Sequence, residues 1–139
     1  MEYLKQIVDY GVVGVLVMMS VISIALLFER VFYYKKVDFN SFKNRKLLEN
    51  SLSENLTTIA SITANAPYIG LFGTVLAIMQ TFLDMSKEDF AVTTIMTSLS
   101  LALKTTAVGL LVAIISLFIY NYLSRRVENI LAKYEDEKV

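Results

Sequence analysis

The sequence predicts an all-α integral membrane protein with three transmembrane helices, N-terminus out and C-terminus in, and three observations carry that prediction. Charge is segregated: residues 10–28, 55–83, 90–103 and 105–124 hold no Asp, Glu, Lys or Arg, and Lys104 is the lone charge between the last two runs. Apolar runs of about 20 residues, at about 1.5 Å per residue, match a hydrocarbon layer of roughly 30 Å. All five glycines lie inside or at the edge of these runs rather than in loops, and Lys and Arg cluster between and after them.

The first span is placed at 11–34. Its surface is Val, Leu, Met and Ile, with Tyr10 at one edge and Phe32, Tyr33 and Tyr34 at the other, where amphipathic rings prefer to sit. Its length, its end at Glu29 and Arg30 and the lack of a small-residue cleavage pattern read as a permanent span rather than a removed leader. A loop at 35–59 follows, with Lys35, Lys36, Lys43, Arg45 and Lys46. The second span is placed at 60–83, then an acidic hairpin (Asp84, Lys87, Glu88, Asp89), a third span at 91–123 and a tail at 124–139 with Arg125, Arg126, Lys133 and Lys138. Basic loops stay cytoplasmic. The N-terminus offers only Lys5 and the hairpin only Lys87, so these face out while loop and tail face in, and the whole chain forms one membrane domain.

The helices are expected to outrun the bilayer. Leu48, Leu52, Leu56 and Ile59 recur at helical spacing, so the second helix is expected to begin near Leu47; Val127, Ile130, Leu131 and Tyr134 do the same after the third span. Packed together they would form a cytoplasmic helical stem; the alternative is amphipathic segments lying on the membrane surface.

Several chemistries are excluded. With no Cys and no His there is no thiolate, disulfide, imidazole base or usual zinc site. A formal net charge of zero and no Gly-rich phosphate loop leave nucleic acid without a binding surface. No catalytic residue, metal or cofactor is expected, and the chain does not read as an enzyme.

Small residues supply the next clue. Ala66, Gly70, Thr74 and Ala77 form a stripe on the second span, with Gly73 beside it; Ser98, Ala102, Thr106, Gly109, Ala113 and Ser116 form one on the third. In lipid, helices associate through such faces because acyl chains solvate Leu as well as another Leu does. The stripes therefore read either as packing seams or as the lining of a path. The first span has only Gly11 and Gly14, and its bulk suggests that it faces lipid. Three helices cannot enclose a path alone, whereas a symmetric ring can, so a homo-oligomer is expected.

Polar residues at membrane depth are expensive and default to function. Here they are Thr63, Asn65, Thr74, Thr81, Thr105, Thr106, Ser116 and Lys104, with no carboxylate clearly among them. The chain supplies hydroxyls for a proton relay but no proton carrier. Pro67 removes a backbone donor and frees carbonyls near Thr63 and Ala64. Either Thr63 and Asn65 re-satisfy that gap, or a bend there widens the cytoplasmic mouth of a pore.

The segment Ala66–Thr74, APYIGLFGT, continued by Val75 and Ile78, closely resembles the second-span signature of the MotA/TolQ/ExbB proton-channel family. The stretch Ala102–Asn121, ALKTTAVGLLVAIISLFIYN, resembles its third-span signature at the right distance and in the same order. The resemblance implies a stator of the bacterial inner membrane, a pentamer around a dimer of ExbD/TolR-like single-span partners. It implies that proton-motive force is passed to TonB, for uptake of iron complexes or similar substrates, or to the Tol-Pal system. Thr74 in GLFGT and Thr106 in KTTAVGL match the family's pore-side hydroxyls, and the partner's transmembrane Asp would be the carrier. Each unit charge crossing 100 mV releases about 2.3 kcal/mol, so a mechanical step needs several protons. Family members often have Glu five residues before the third-span Thr; here that position is Leu101. Lys104 is expected either to snorkel outward or to pair with a partner's acid. The short loop disfavours the flagellar branch, which grips its rotor with a large cytoplasmic region. A non-conducting scaffold and a small-solute exporter are the readings from other classes.

Overall fold

A computed structural model describes residues 2–87 and 91–138, and the hairpin residues Glu88 and Asp89 lie outside the described residues. Four α-helices follow in order: α1 (Glu2–Lys36), α2 (Arg45–Leu52), α3 (Leu56–Lys87) and α4 (Val92–Lys138), with a short 3-10 turn at Phe39–Ser41. Three of these, over Gln6–Lys36, Leu56–Lys87 and Val92–Glu137, are long and apolar enough to cross a membrane. Three helices thus stand where the three spans are expected, and each runs past at least one of the bounds set by hydropathy.

α3 and α4 pack along most of their length, and α1 lies against both. Only 11% of the most apolar stretch of α1 is buried, against 33% in α3 and 39% in α4, so α1 is the peripheral helix. Two cores result. The one between the apolar spans joins Leu16, Ile62, Ala66, Val112 and Ala113. The other lies at the basic end, where Leu48, Leu52, Leu56 and Ile59 meet Ile119, Leu123, Val127, Ile130, Leu131 and Tyr134. The two runs of helically spaced apolar residues therefore pack against each other, as their spacing predicts. Leu48, Leu52, Ile59 and Leu123 are completely buried there. Fully burying such a side chain in place of contact with water contributes about 1.5–3 kcal/mol.

One expectation fails. The second helix does not begin near Leu47 and run on; it breaks after Leu52. Asn44 caps α2, its side chain accepting from the Leu47 N–H at 2.9 Å. Asn55, at φ 71°, then turns the chain into α3. Asn tolerates that left-handed conformation better than most residues. The leucine register survives the break because the elbow restores the same face.

Candidate functional site

α3 and α4 approach most closely where both lack side chains. A Cβ built on Gly70 would fall 2.5 Å from the Thr105 carbonyl oxygen and 3.1 Å from the Gly109 Cα; one on Gly109 would fall 2.6 Å from the Ala66 carbonyl oxygen. The obstacles are backbone, which cannot rotate away. Gly70 and Gly109 are therefore crossing-point residues, and the Gly-Gly contact holds the neighbouring threonines together.

Three hydroxyls meet there. Thr74 Oγ1 lies 2.7 Å from the Ala102 carbonyl, 3.2 Å from Thr105 Oγ1 and 2.5 Å from Thr106 Oγ1. Thr105 Oγ1 lies 3.0 Å from the Gly70 carbonyl. A hydroxyl has one proton to give and two lone pairs to accept with. One assignment satisfies the cluster: Thr74 donates to Ala102, Thr105 to Gly70 and Thr106 to Thr74. The reverse direction along Thr74–Thr106 is open by rotation. A cluster with two readings of the same oxygens can pass a proton without holding a charge.

Thr74 and Thr106, singled out from the sequence, are thus brought into contact. Thr105, which sequence reasoning counts only as one more polar residue, is the more deeply buried of the α4 pair at 2% exposure. Its neighbour Thr106 is partly exposed. Ala66, Gly70, Gly73, Ala102, Gly109 and Ala113 are buried along the crossing, while Ala77 is half-buried. Gly73 admits Thr105 Oγ1 and the Val12 side chain from α1, which approach its built Cβ to 2.8 and 3.0 Å. Gly11 and Gly14 differ: a Cβ on either meets nothing within 4 Å, so they form no seam within this chain. Ser116 donates or accepts across to Ser23 of α1 at 3.0 Å, buried in the apolar span.

Helix α3 runs unbroken through Pro67. Thr63 and Asn65 donate to the Ile59 and Ser61 carbonyls, each one turn back, rather than to the carbonyl that Pro67 leaves free at Thr63. Lys104 has an acid within its own chain. Its Nζ lies 3.4 Å from Asp9 Oδ2 on α1. The signal for this pair is one of depth: Asp9 precedes Arg30, and Lys104 precedes Arg125, by 21 residues each. That is about 31 Å of helix, one hydrocarbon thickness.

The other charged layer lies at Arg30. Its side chain is 3% exposed, although it follows a charge-free run and reads in sequence as a flank. Nε and Nη2 donate to the Glu29 carboxylate, both at 2.5 Å, and Nη1 donates to the Ser51 carbonyl at 2.9 Å. Its guanidinium stacks 4.4 Å from the Tyr33 ring centre. Tyr34 donates to the Leu52 carbonyl at 2.7 Å. The last carbonyls of α2, which helix geometry leaves without partners, are satisfied by α1.

A family model described as the MotA/TolQ/ExbB proton channel family matches residues 32–136. The chain belongs to this family. It is similar to the biopolymer transport protein ExbB of Aquifex aeolicus, 42% identical over 136 residues that span 97% of this chain and 92% of that protein. It is also similar to ExbB of Helicobacter pylori strain J99, 44% identical over 96% of this chain and 93% of that protein. The Tol-Pal system protein TolQ of Pseudomonas aeruginosa is 34% identical over 62% of this chain and 38% of its own length. As a MotA/TolQ/ExbB family member with three apolar helices, the chain is a multi-pass membrane protein of the biopolymer-transport type.

Proposed function

We propose that the chain is an ExbB-like stator subunit of the bacterial inner membrane, forming a pentameric ring that conducts protons and passes their energy to an envelope protein. The observation that carries this reading is the neutral cluster of Thr74, Thr105 and Thr106 at the α3–α4 crossing. Neutral oxygens can relay a proton but cannot store one, so a titrating acid must come from elsewhere; a single-span ExbD/TolR-like partner with a transmembrane Asp supplies it. Thr74 and Thr106 line the proton path, Ala77 and Ala113 continue its small-residue wall, and the half-buried Pro67 lies toward the basic end of the same α3 face. Gly70, Gly73, Ala102 and Gly109 keep the crossing close. TonB-dependent uptake is the preferred output, because the ExbB relatives match over nearly their whole length and the TolQ relative over little more than a third of its own. The match to TolQ favours a Tol-Pal role as the second reading.

The test is purification from native membranes followed by mass measurement. Five copies retained with a short Asp-bearing partner are expected; a stable monomer would favour a scaffold. Thr74→Val and Thr106→Val should leave the ring assembled and abolish energised uptake. Unchanged uptake and an intact envelope in both would remove the hydroxyls from the path, and an envelope-integrity defect without an uptake defect would select the Tol-Pal role.

A further inference from the structure

At the end of the bundle remote from Arg30, α1, α3 and α4 do not close on one another and leave a cavity of about 330 Å³. All three helices line it with polar groups: Gln6 and Asp9 from α1, Thr81 from α3, Ser98 and Lys104 from α4. The cleft is open to its surroundings and also lined by Tyr10 and Leu101, and its polar groups give entering water the partners it needs. Ala77 and Ala102 also line it, and they lie one turn from Thr74 and Thr106 along their helices. The Ala102 carbonyl is the acceptor of Thr74. The cavity therefore abuts the hydroxyl cluster.

We propose that this cavity is a proton-uptake vestibule and that Asp9 is the carboxylate that takes up protons at its mouth before they pass to the partner's acid, with Lys104 as the counter-ion that holds it there. This rests on the channel reading above and adds a site to it. A carboxylate facing a water-accessible cavity at the edge of the apolar layer stands where a proton path from solvent would begin. Three features of Asp9 suit that role. Lys104 Nζ engages Oδ2 alone, which leaves Oδ1 outside that contact. The Asp9 side chain is 35% exposed and so reachable by water. Its level, one hydrocarbon thickness from Arg30, is where bulk solvent and apolar layer meet.

Below Asp9, α1 presents Val12, which approaches Gly73 together with Thr105. Thr105 thus stands on the α1 side of the cluster, and Thr74 contacts both Thr105 and Thr106. A proton binds a carboxylate oxygen of Asp9 and cancels its charge, then leaves for a cavity water. Each hydroxyl accepts one proton and releases another, so Asp9 and the threonines end as they began. The net event is transfer of one proton from the vestibule to the partner's acid.

The test uses the complex purified with its co-purifying partner and reconstituted in liposomes that trap a pH-sensitive dye, with flux driven by a potassium diffusion potential. Asp9→Asn is expected to lower proton flux at least tenfold with the ring intact by mass, and Asp9→Glu to retain at least half. An ion pair that only clamps α1 behaves differently: removing both charges, Asp9→Asn with Lys104→Met, would then restore flux. The vestibule requires the double variant to stay as low as Asp9→Asn. Flux in Asp9→Asn within twofold of the parent while Thr74→Val abolishes it overturns the vestibule and leaves the channel standing; a parent with no flux overturns both. Should Asp9→Asn fail to assemble, infrared difference spectra of the parent on acidification decide. A carboxylic C=O band that shifts in Asp9→Glu supports Asp9 as the acceptor, and its absence overturns the proposal.

Discussion

The hydroxyl cluster at the α3–α4 crossing and the Arg30 knot at the basic end face the same requirement by opposite means. Each must satisfy buried polar atoms where water is scarce. The crossing uses neutral threonines against backbone carbonyls, with short contacts and more than one donor assignment for the same oxygens. The knot uses a charged fork with its donors committed to Glu29 and the end of α2, stacked on Tyr33. Neutral groups can exchange roles at little energetic expense, whereas a buried guanidinium cannot leave its partners without being stranded. The difference separates a region built to rearrange from one built to hold.

Gly70→Ala should break the first region most severely. Its new methyl meets the Thr105 carbonyl, so the helices must separate, at about 3 kcal/mol, the upper end of overpacking penalties. A large drop in thermal unfolding midpoint in detergent, together with lost flux, is the expected result. A variant as stable as the parent would mean that the crossing is looser than described.

Arg30→Met breaks the second region. It strands the Ser51 carbonyl and the half-exposed Glu29, and about 2 kcal/mol of stability should be lost, in the range for hydrogen bonds to charged groups. Flux per assembled ring should stay near that of the parent. A selective loss of flux would give the knot a part in conduction and erase the contrast between the two regions.

Thr105→Val sharpens it. One hydrogen bond of about 1 kcal/mol is lost, yet flux should fall far more than stability, as measured on the same preparation. Gly11→Ala and Gly14→Ala should do least, stabilising α1 by about 0.5–1 kcal/mol each because the new methyl meets open space. If either instead weakens the ring, a neighbouring subunit lies against α1 there rather than lipid.

Much of this was legible in the chain itself. Charge-free runs placed the three apolar helices, since hydrocarbon thickness and helical rise leave little choice. The leucine spacing named the core at the basic end, and small residues at helical spacing named the seam and two of its three hydroxyls. Other features depend on pairs distant in sequence. Thr105 and Thr106 are adjacent and chemically identical, and only the crossing of α3 over α4 decides which turns inward. Asp9 and Lys104 each stand at the rim of an apolar run and meet only because α1 lies alongside α4. Arg30 reads as a solvent-facing flank until the break at Asn55 brings the end of α2 onto it.

Sequence by itself thus determined which segments leave water and which of their faces are small, because transfer free energy and helical period are local properties of a run of residues. Tertiary structure alone decided which hydroxyls meet, which carboxylate answers Lys104 and where the second helix breaks. Those outcomes depend on distances between helices, and a single chain of letters carries no such distance.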